Sequence, residues 1–409
     1  MLQPYREVLA RPGALAFSST GVLARLPISM VGIGIVLAVS SLYGSYGVAG
    51  RVSAVYVVVQ AICAPLLARL VDKHGQARVM RPATLVTALA LTAFVVVAAL
   101  RAPTFWLYAL AIVFGATSGS MGALVRARWS YVLDDHRALH AAYSLESALD
   151  EVVFIVGPVL ATVLATSVAP TAGLVVPAVA VLVGGLLFLR LRATEPPIAP
   201  HEPGTKHHTV MRSGSMVVLA AVFVGMGAVF GATDLAVVAF AEEEGRKGLA
   251  GALLAIFALG SLISGLVYGA LHFERPVWQR FALGIAALAV GVSLFEFAHS
   301  ITALAAVMFA AGFSIAPTLI NGNALVQELV PRTQLTEGLT WVGTSLGVGV
   351  SFGSSISGSL IDARGSHGGF LVVQGGAAFA VLATVVSLRR LRADSRRAEA
   401  LRLAAAAAA

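Results

Sequence analysis

The sequence carries little charge. Asp, Glu, Lys and Arg make up 12% of its 409 residues, about half of the roughly 25% that is usual in soluble domains. The low charge content therefore excludes a soluble protein. Hydrophobic residues account for 58% of the chain, and the mean hydropathy is +0.88. Together these values predict a protein that lies within a lipid bilayer.

Cysteine and the common catalytic motifs are also scarce. Cys63 is the one cysteine and lies in an apolar run, so no disulfide can form within the chain. The sequence contains no phosphate-binding Gly-Lys-Ser/Thr loop, no cluster of metal-ligating residues and no catalytic-triad spacing. We therefore expect no enzymatic activity, no ATP as energy source, no cofactor and no bound metal.

What the sequence has in abundance is long apolar runs. They exceed the ~10 alternating residues of a barrel strand and match the ~20 apolar residues that a transmembrane helix needs. Very short connections such as His299-Ser300 force neighbouring helices to run antiparallel. Hydropathy and turn residues predict an all-α membrane protein with twelve transmembrane helices, at residues 13–41, 48–70, 80–100, 104–126, 141–166, 171–190, 214–239, 248–271, 279–297, 301–322, 335–359 and 368–388.

The positive charges are distributed asymmetrically about these helices. Of the 28 Lys and Arg residues, twenty-two fall on the side that holds both termini, five on the opposite side, and Arg25 within a helix. Positive residues stay in the cytoplasm, so we expect a multi-pass protein of the cell inner membrane with both termini cytoplasmic. The net charge of +8 thereby has a topological explanation, and no nucleic-acid partner is expected.

A polar linker divides the chain into two halves. Residues 192–213 form the longest polar stretch and contain four prolines. The sequence predicts a first six-helix bundle at residues 1–191 and a second at 214–391, an arrangement typical of bundles related by a pseudo-two-fold axis. Residues 392–409 are predicted to be a basic cytoplasmic tail, which ends in a run of alanines expected to be an added or unassigned segment.

One loop carries a family resemblance. Between the second and third predicted helices the chain reads Ala68-Arg-Leu-Val-Asp72-Lys-His-Gly75-Gln-Ala-Arg78. This segment resembles the signature loop of the major facilitator superfamily, Gly-x-Leu-x-Asp-Arg-x-Gly-Arg-Arg, with Ala68 in place of the first glycine. The resemblance implies the major facilitator fold of two six-helix bundles and a secondary transporter.

The same resemblance implies a conformational latch formed by Asp72, Gly75, Arg78 and Arg126. Gly75 permits a tight turn, and Asp72 offers a carboxylate to a cation or to a helix N-terminus. We expect Asp72 to pair with Arg126 at the end of the fourth helix or to cap a helix of the other bundle. The alternative interpretation of Arg126 and its neighbour Arg128 is that they are positive anchors on the cytoplasmic side.

Two further resemblances concern the subtype. Gly157-Pro158 resembles the core of the motif associated with proton-driven exporters of this superfamily, although a Gly-Pro pair also simply kinks a membrane helix. Residues 260–265 and 336–341 look like those of actinobacterial drug-efflux-like members. The arginine that the superfamily carries in the middle of the fourth helix is replaced here by small neutral residues, which departs from a simple drug/proton antiporter.

Charged residues inside predicted helices are candidate functional groups, because each costs at least ~2.5–3.5 kcal/mol to insert. Arg25 and Asp150 lie at similar depth, Glu151 follows Asp150, and Asp234 lies in the outer half of the seventh helix. One interpretation is a structural ion pair between Arg25 and Asp150. The other is proton coupling at Asp150, Glu151 or Asp234, since a carboxylic acid in a low dielectric takes up a proton more readily than in water.

Polar residues in the tenth and eleventh helices are candidates for substrate binding. The superfamily resemblance places the tenth helix at the central cavity, so Asn321 and Asn323 are predicted to bind substrate together with Trp341 and Arg25. The alternative for the asparagines is a hydrogen bond between helices.

We therefore expect a monomeric secondary active transporter that exports small amphipathic molecules, as an antiporter driven by protons. Its expected partners are a small-molecule substrate, protons and the lipid bilayer. An importer or facilitator of an anionic metabolite held by Arg25 is the alternative within transport. A membrane sensor that does not transport is the alternative from another class.

Overall fold

The structure, a computed structural model, describes residues 3–198, 209–271 and 273–408, and its regular structure in that part of the chain is helical throughout. The helices are α1 Gln3–Leu9, α2 Ala14–Tyr43, α3 Tyr46–His74, α4 Gln76–Ala99, α5 Thr104–Thr117, α6 Met121–Val132, α7 His136–Ser167, α8 Ala172–Arg190, α9 Gly214–Glu243, α10 Ala250–Ala270, α11 Val277–Ser293, α12 Ile301–Gly312, α13 Ile315–Leu329, α14 Leu335–Arg364 and α15 Ser366–Ala408. The all-α fold expected from the sequence is confirmed.

Two of the twelve predicted transmembrane helices are interrupted. The fourth consists of α5 and α6, which are separated at residues 118–120, and the tenth consists of α12 and α13, which are separated at residues 313–314. Ser118 leaves the helical conformation at the first break, with ψ of 95°. Ser314 donates its hydroxyl hydrogen to the carbonyl of Ala311 at the second. Serine side chains compete with the backbone in this way, which hydropathy alone does not reveal.

Glycine and a cap define other helix boundaries. Gly75, with φ of +91°, separates α3 from α4, and Gly365, with φ of +70°, separates α14 from α15. Such positive φ values favour glycine. The Asp135 carboxylate accepts the backbone N–H of Ala138 at 2.9 Å and thereby caps α7. This hydrogen bond holds the pKa of Asp135 below its usual value.

Eleven of the described helical segments are long and apolar enough to cross a membrane, and α14 is the twelfth long one. The low hydropathy of α14 has a packing reason. A Cβ atom on Gly349 would lie 2.1 Å from the carbonyl oxygen of Val224, and one on Gly353 would lie 2.3 Å from that of Ala228. The backbones of α9 and α14 are therefore in direct contact, which only small residues permit.

The chain forms two compact units. The N-unit comprises Arg6–Leu139 and Leu149–Thr205, and the C-unit comprises Met1–Tyr5, His140–Ala148 and Lys206–Ala409. The predicted linker 192–213 includes residues 199–208, which lie outside the described residues. The beginning of α7 packs in the C-unit, a feature that the predicted boundaries do not contain.

The glycine contacts generate a first prediction. We expect Gly349→Ala to lower the temperature of thermal unfolding, because overpacking at such a contact costs roughly 1–3 kcal/mol. Gly347→Ala on the same helix is the matched control, since no atom lies within 4 Å of a Cβ built there. Thermal unfolding of both purified variants in detergent checks the expectation. Equal unfolding temperatures for the two variants would show that the backbone contact is not tight.

Candidate functional site

Three charged side chains of the N-unit meet in one cluster, the ion cluster Arg25–Asp150–Arg126. Arg25 on α2 lies with Nη1 2.9 Å from Oδ1 of Asp150 on α7. Arg126 on α6 donates from Nη2 to the other carboxylate oxygen, Oδ2, at 2.7 Å. The arginine side chains are 4% and 9% exposed, whereas that of Asp150 is 28% exposed. One partly accessible carboxylate is thus shared by two buried guanidinium groups.

Local sequence makes room for this cluster. The Nε of Arg25 donates to the carbonyl of Gly21 one turn earlier on α2. A Cβ atom on Gly122 would lie 3.1 Å from Nη1 of Arg126 and 3.7 Å from Cδ of Arg25. A glycine at position 122 therefore lets two large cationic side chains lie side by side near the start of α6.

Other acidic residues of α7 flank the cluster in sequence. Glu146 lies one turn before Asp150 and is fully buried, and Glu151 is half-buried. Further along the same helix, the hydroxyl group of Ser29 donates to the carbonyl of Val153 at 3.0 Å. A Cβ atom on Gly157 would lie 1.9 Å from the Ser29 oxygen. The Gly157-Pro158 pair thus lies at a close contact between α7 and α2.

Three of the four predicted latch residues lie around the α3–α4 turn, and the fourth lies in the ion cluster. Asp72 is half-buried in the last turn of α3, Gly75 forms the turn, and Arg78 is exposed on α4. Arg126 takes part in the ion cluster. A carboxylate that the sequence analysis did not single out acts at the turn: Oε1 of Glu195 accepts the backbone N–H of Ala77 at 2.9 Å. Glu195 therefore satisfies one of the free amides at the N-terminus of α4.

The buried environment of Arg128 is a second feature that the sequence analysis did not predict. It is fully buried and donates to the Gln76 side chain at 2.8 Å and the Leu191 carbonyl at 2.8 Å. Its guanidinium lies over the Phe188 ring, 3.8 Å from the centroid. Residues two apart on a helix point about 200° apart, so the spacing of Arg126 and Arg128 already indicated two different environments.

The predicted substrate-binding residues of the C-unit have polar atoms inside the fold. The Asn321 side chain is 1% exposed, donates to the Tyr268 hydroxyl at 2.8 Å and to a carbonyl of its own helix, and its Oδ1 has no hydrogen-bond partner among the described residues. Asn323 donates to the Leu319 carbonyl at 2.9 Å. Trp341 is half-buried, and its Nε1 likewise has no partner there.

Asp234 has a different setting from Asp150. It lies on α9 in the C-unit, where it is exposed.

In the described ranges 3–198, 209–271 and 273–408, no three His, Cys, Asp or Glu side chains are grouped so that they could hold a metal ion.

The C-unit also contains a close contact between the start of α7 and the end of α10, here named the α7–α10 contact. His140 Nε2 lies 3.0 Å from the Tyr268 carbonyl oxygen. A Cβ atom on Gly269 would lie 2.3 Å from Cβ of Ser144 and 2.5 Å from the hydroxyl oxygen of Tyr5. That hydroxyl donates to a carbonyl of α10, and burial raises the pKa of Tyr5 to about 12.

Solved structures share this fold at low sequence identity. The human organic anion transporter MFSD10 (TETRAN) is 15% identical with a TM-score of 0.67, and 94% of this chain and 100% of that chain are covered. A bacterial homologue of the iron transporter ferroportin, in the outward-facing state, is 15% identical with a TM-score of 0.76 and coverages of 92% and 98%. The proton:xylose symporter XylE is 13% identical, with a TM-score of 0.69 and coverages of 92% and 96%.

Among curated protein sequences, none matches this chain. The profile of the Major Facilitator Superfamily matches residues 17–283 and 235–408, which together span most of the sequence. On this match, and in agreement with the twelve long helices and the transporter structures of the same fold, the chain belongs to the major facilitator superfamily of membrane transporters.

Proposed function

We propose that the chain is a proton-coupled secondary transporter that exports small amphipathic molecules by alternating access, with Asp150 as the coupling group. The observation that carries this proposal is the sharing of one carboxylate by two buried guanidinium groups. Charged groups among the helices of a membrane protein are costly and are functional by default. We further expect a monomer in the cell membrane with both termini cytoplasmic, as the distribution of Lys and Arg indicates.

Within the ion cluster, Asp150 is the member that can change its charge. A guanidinium group does not lose its proton in a protein, so Arg25 and Arg126 remain cations throughout a transport cycle. The Asp150 side chain is 28% exposed, and the proposal requires that this exposed part faces water, which delivers the proton. Proton binding there alters the charge balance between α2, α6 and α7.

Proton binding competes with ion pairing. Oδ1 of Asp150 faces Arg25 and Oδ2 faces Arg126, so a proton can bind once one arginine has moved away. Each protonation event is therefore linked to a displacement of α2 or α6 from α7. The ionised carboxylate is also the group that attracts a cationic substrate. Proton and substrate therefore compete for Asp150, which gives an exchange of proton for substrate.

A movement of α7 at Asp150 can be transmitted along the helix to the α7–α10 contact, since Asp150 and Ser144 both lie on α7. Six residues separate Ser144 from Asp150, a rise of about 9 Å. We infer that movement of α7 at the ion cluster loosens the packing of Ser144 on Gly269.

The Gly157-Pro158 pair supports the export direction, because it resembles the exporter motif and lies at the tight α2–α7 packing.

The same geometry favours a second candidate, a transporter of an anionic metabolite. Two guanidinium groups around one carboxylate form a site that an anionic substrate group can enter in place of Asp150, with bidentate hydrogen bonds. The human protein MFSD10, named an organic anion transporter, shares the fold. In this mechanism Asp150 holds the arginines in position between transport events.

Uptake into vesicles distinguishes the candidates. Inside-out vesicles with an imposed pH gradient are supplied with the amphipathic cations ethidium and tetraphenylphosphonium, and in parallel with radiolabelled dicarboxylates. The proposal predicts accumulation of the amphipathic probes that collapses when the gradient is abolished. Dicarboxylate uptake alone would support the second candidate, and the absence of any transport would support a membrane sensor.

Replacing Asp150 separates coupling from translocation. We expect Asp150→Asn to keep exchange of the probe across the membrane but to lose accumulation driven by the pH gradient, because exchange requires alternating access and accumulation requires a titrating group. Counterflow and gradient-driven uptake in proteoliposomes measure the two. Asp362→Asn, an exposed carboxylate at the end of α14, is the control and should behave as wild type. Full accumulation by Asp150→Asn would move the coupling group to Glu151 or Asp234.

Adding a methyl group at the α7–α10 contact tests its role in the cycle. Since a Cβ atom on Gly269 overlaps Ser144 and Tyr5, we expect Gly269→Ala to slow exchange by roughly tenfold or more, as small misplacements of packed elements do. Gly251→Ala on the same helix is the matched control, because nothing lies within 4 Å of a Cβ there.

Ser144→Gly combined with Gly269→Ala should recover part of the exchange rate, since it removes the overlapping Cβ atom. Wild-type exchange by Gly269→Ala alone would show that this contact is not part of the cycle.

A further inference from the structure

The last helix extends beyond the length that a bilayer requires. α15 spans Ser366–Ala408, and residues 366–388 contain no Asp, Glu, Lys or Arg. At 1.5 Å per residue these 23 residues span ~34 Å, close to the ~30 Å of a hydrocarbon core. The first arginine, Arg389, therefore lies at the level expected for lipid headgroups.

The apolar part of α15 shows which side of the helix faces lipid. Leu382, Val385 and Val386 are 62%, 56% and 77% exposed, and large apolar side chains with such exposure on a membrane helix face lipid chains. With 100° per residue, Arg389, Arg392 and Arg396 all lie within about 75° of the centre of this stripe. The lipid-facing stripe therefore continues directly into a stripe of arginines.

The opposite side of the same segment is packed against the C-unit. Leu391 is fully buried and Ser395 is 9% exposed. Asp394 accepts the Ser215 hydroxyl at 2.6 Å, so this carboxylate is turned inward and occupied. Asp394 thus lies on the packed side of the segment, whereas the arginines lie on the outer side.

We propose that this arginine face, formed by Arg389, Arg392 and Arg396 and flanked by Arg390 and Arg397, binds the phosphate groups of anionic lipids in the adjacent leaflet. All five arginines are exposed. Guanidinium groups bind phosphate oxygens in bidentate fashion, and basic segments next to a transmembrane helix attract anionic headgroups. The occupant is a bilayer lipid, because the arginines follow the lipid-facing stripe instead of surrounding the helix.

Topology alone does not require this arrangement. The positive-inside tendency depends on how many Lys and Arg residues lie near the membrane, and it is satisfied by arginines on any side of the helix. The alignment with Leu382, Val385 and Val386 therefore points to recognition of headgroups in addition to orientation in the membrane.

Lipid titration of the full chain in detergent, followed by native mass spectrometry, tests the proposal. Phosphatidylglycerol is the anionic probe and phosphatidylcholine the zwitterionic one. We expect the wild type to bind phosphatidylglycerol more tightly. Arg389→Gln/Arg392→Gln/Arg396→Gln should weaken that binding by roughly 100-fold, at about fivefold for each arginine near an anionic surface, with phosphatidylcholine binding unchanged.

The matched control is Arg6→Gln/Arg11→Gln/Arg137→Gln, which removes three exposed arginines from the same expected side of the membrane. It should retain the wild-type preference. The corresponding triple lysine variant of the arginine face keeps the charge and should retain most of the affinity, which also reports on folding. Equal affinities of the wild type for both lipids, or an equal loss in both glutamine variants, would overturn the proposal. The measurement does not depend on transport, so it stands apart from the proposed function.

Discussion

The carboxylate of Asp150, shared by buried guanidinium groups of two other helices, is the interaction on which the N-unit depends. Removing one partner of a buried ion pair leaves an uncompensated charge and costs roughly 3–5 kcal/mol. α2, α6 and α7 must therefore meet at one point while Asp150 is ionised. The same constraint makes the ion cluster suited to a conformational switch. One proton neutralises Asp150 and removes the negative charge that holds α2 and α6 against α7.

Close backbone contacts determine where the remaining helices can lie. α9 and α14 touch through Gly349 and Gly353, and α10 approaches α7 at Gly269, with no space for a Cβ atom in any of the three places. Small residues at such positions lower hydropathy, which is why α14 looks least like a membrane helix by composition. Apolar side chains favour insertion of the helices into the bilayer. Small residues then determine which helices can pack with their backbones in contact.

The sequence predicted the number, order and approximate bounds of the long helices, because apolar runs and charge asymmetry depend on local composition. It also placed Arg25 and Asp150 at equal depth. It did not predict the contact between Arg126 and Asp150, since hydropathy does not reveal the helix break at residues 118–120 that precedes α6. The environment of Arg128 was not predicted because its partners Gln76 and Leu191 come from distant parts of the chain. Helical periodicity shows on which side of a helix a residue lies, but not which residues of other helices contact it.

The central claim is that Asp150 gains and loses a proton, and infrared difference spectroscopy of the purified protein between acidic and neutral pH tests it without a known substrate. A protonated carboxylic acid has a C=O stretching band that a carboxylate lacks. On acidification the exposed carboxylates also gain this band, and a carboxylic acid inside the protein absorbs at higher frequency than they do. The account predicts that wild type shows such a high-frequency component, that Asp150→Asn lacks it, and that Asp362→Asn keeps it. An unchanged band in Asp150→Asn would contradict the account.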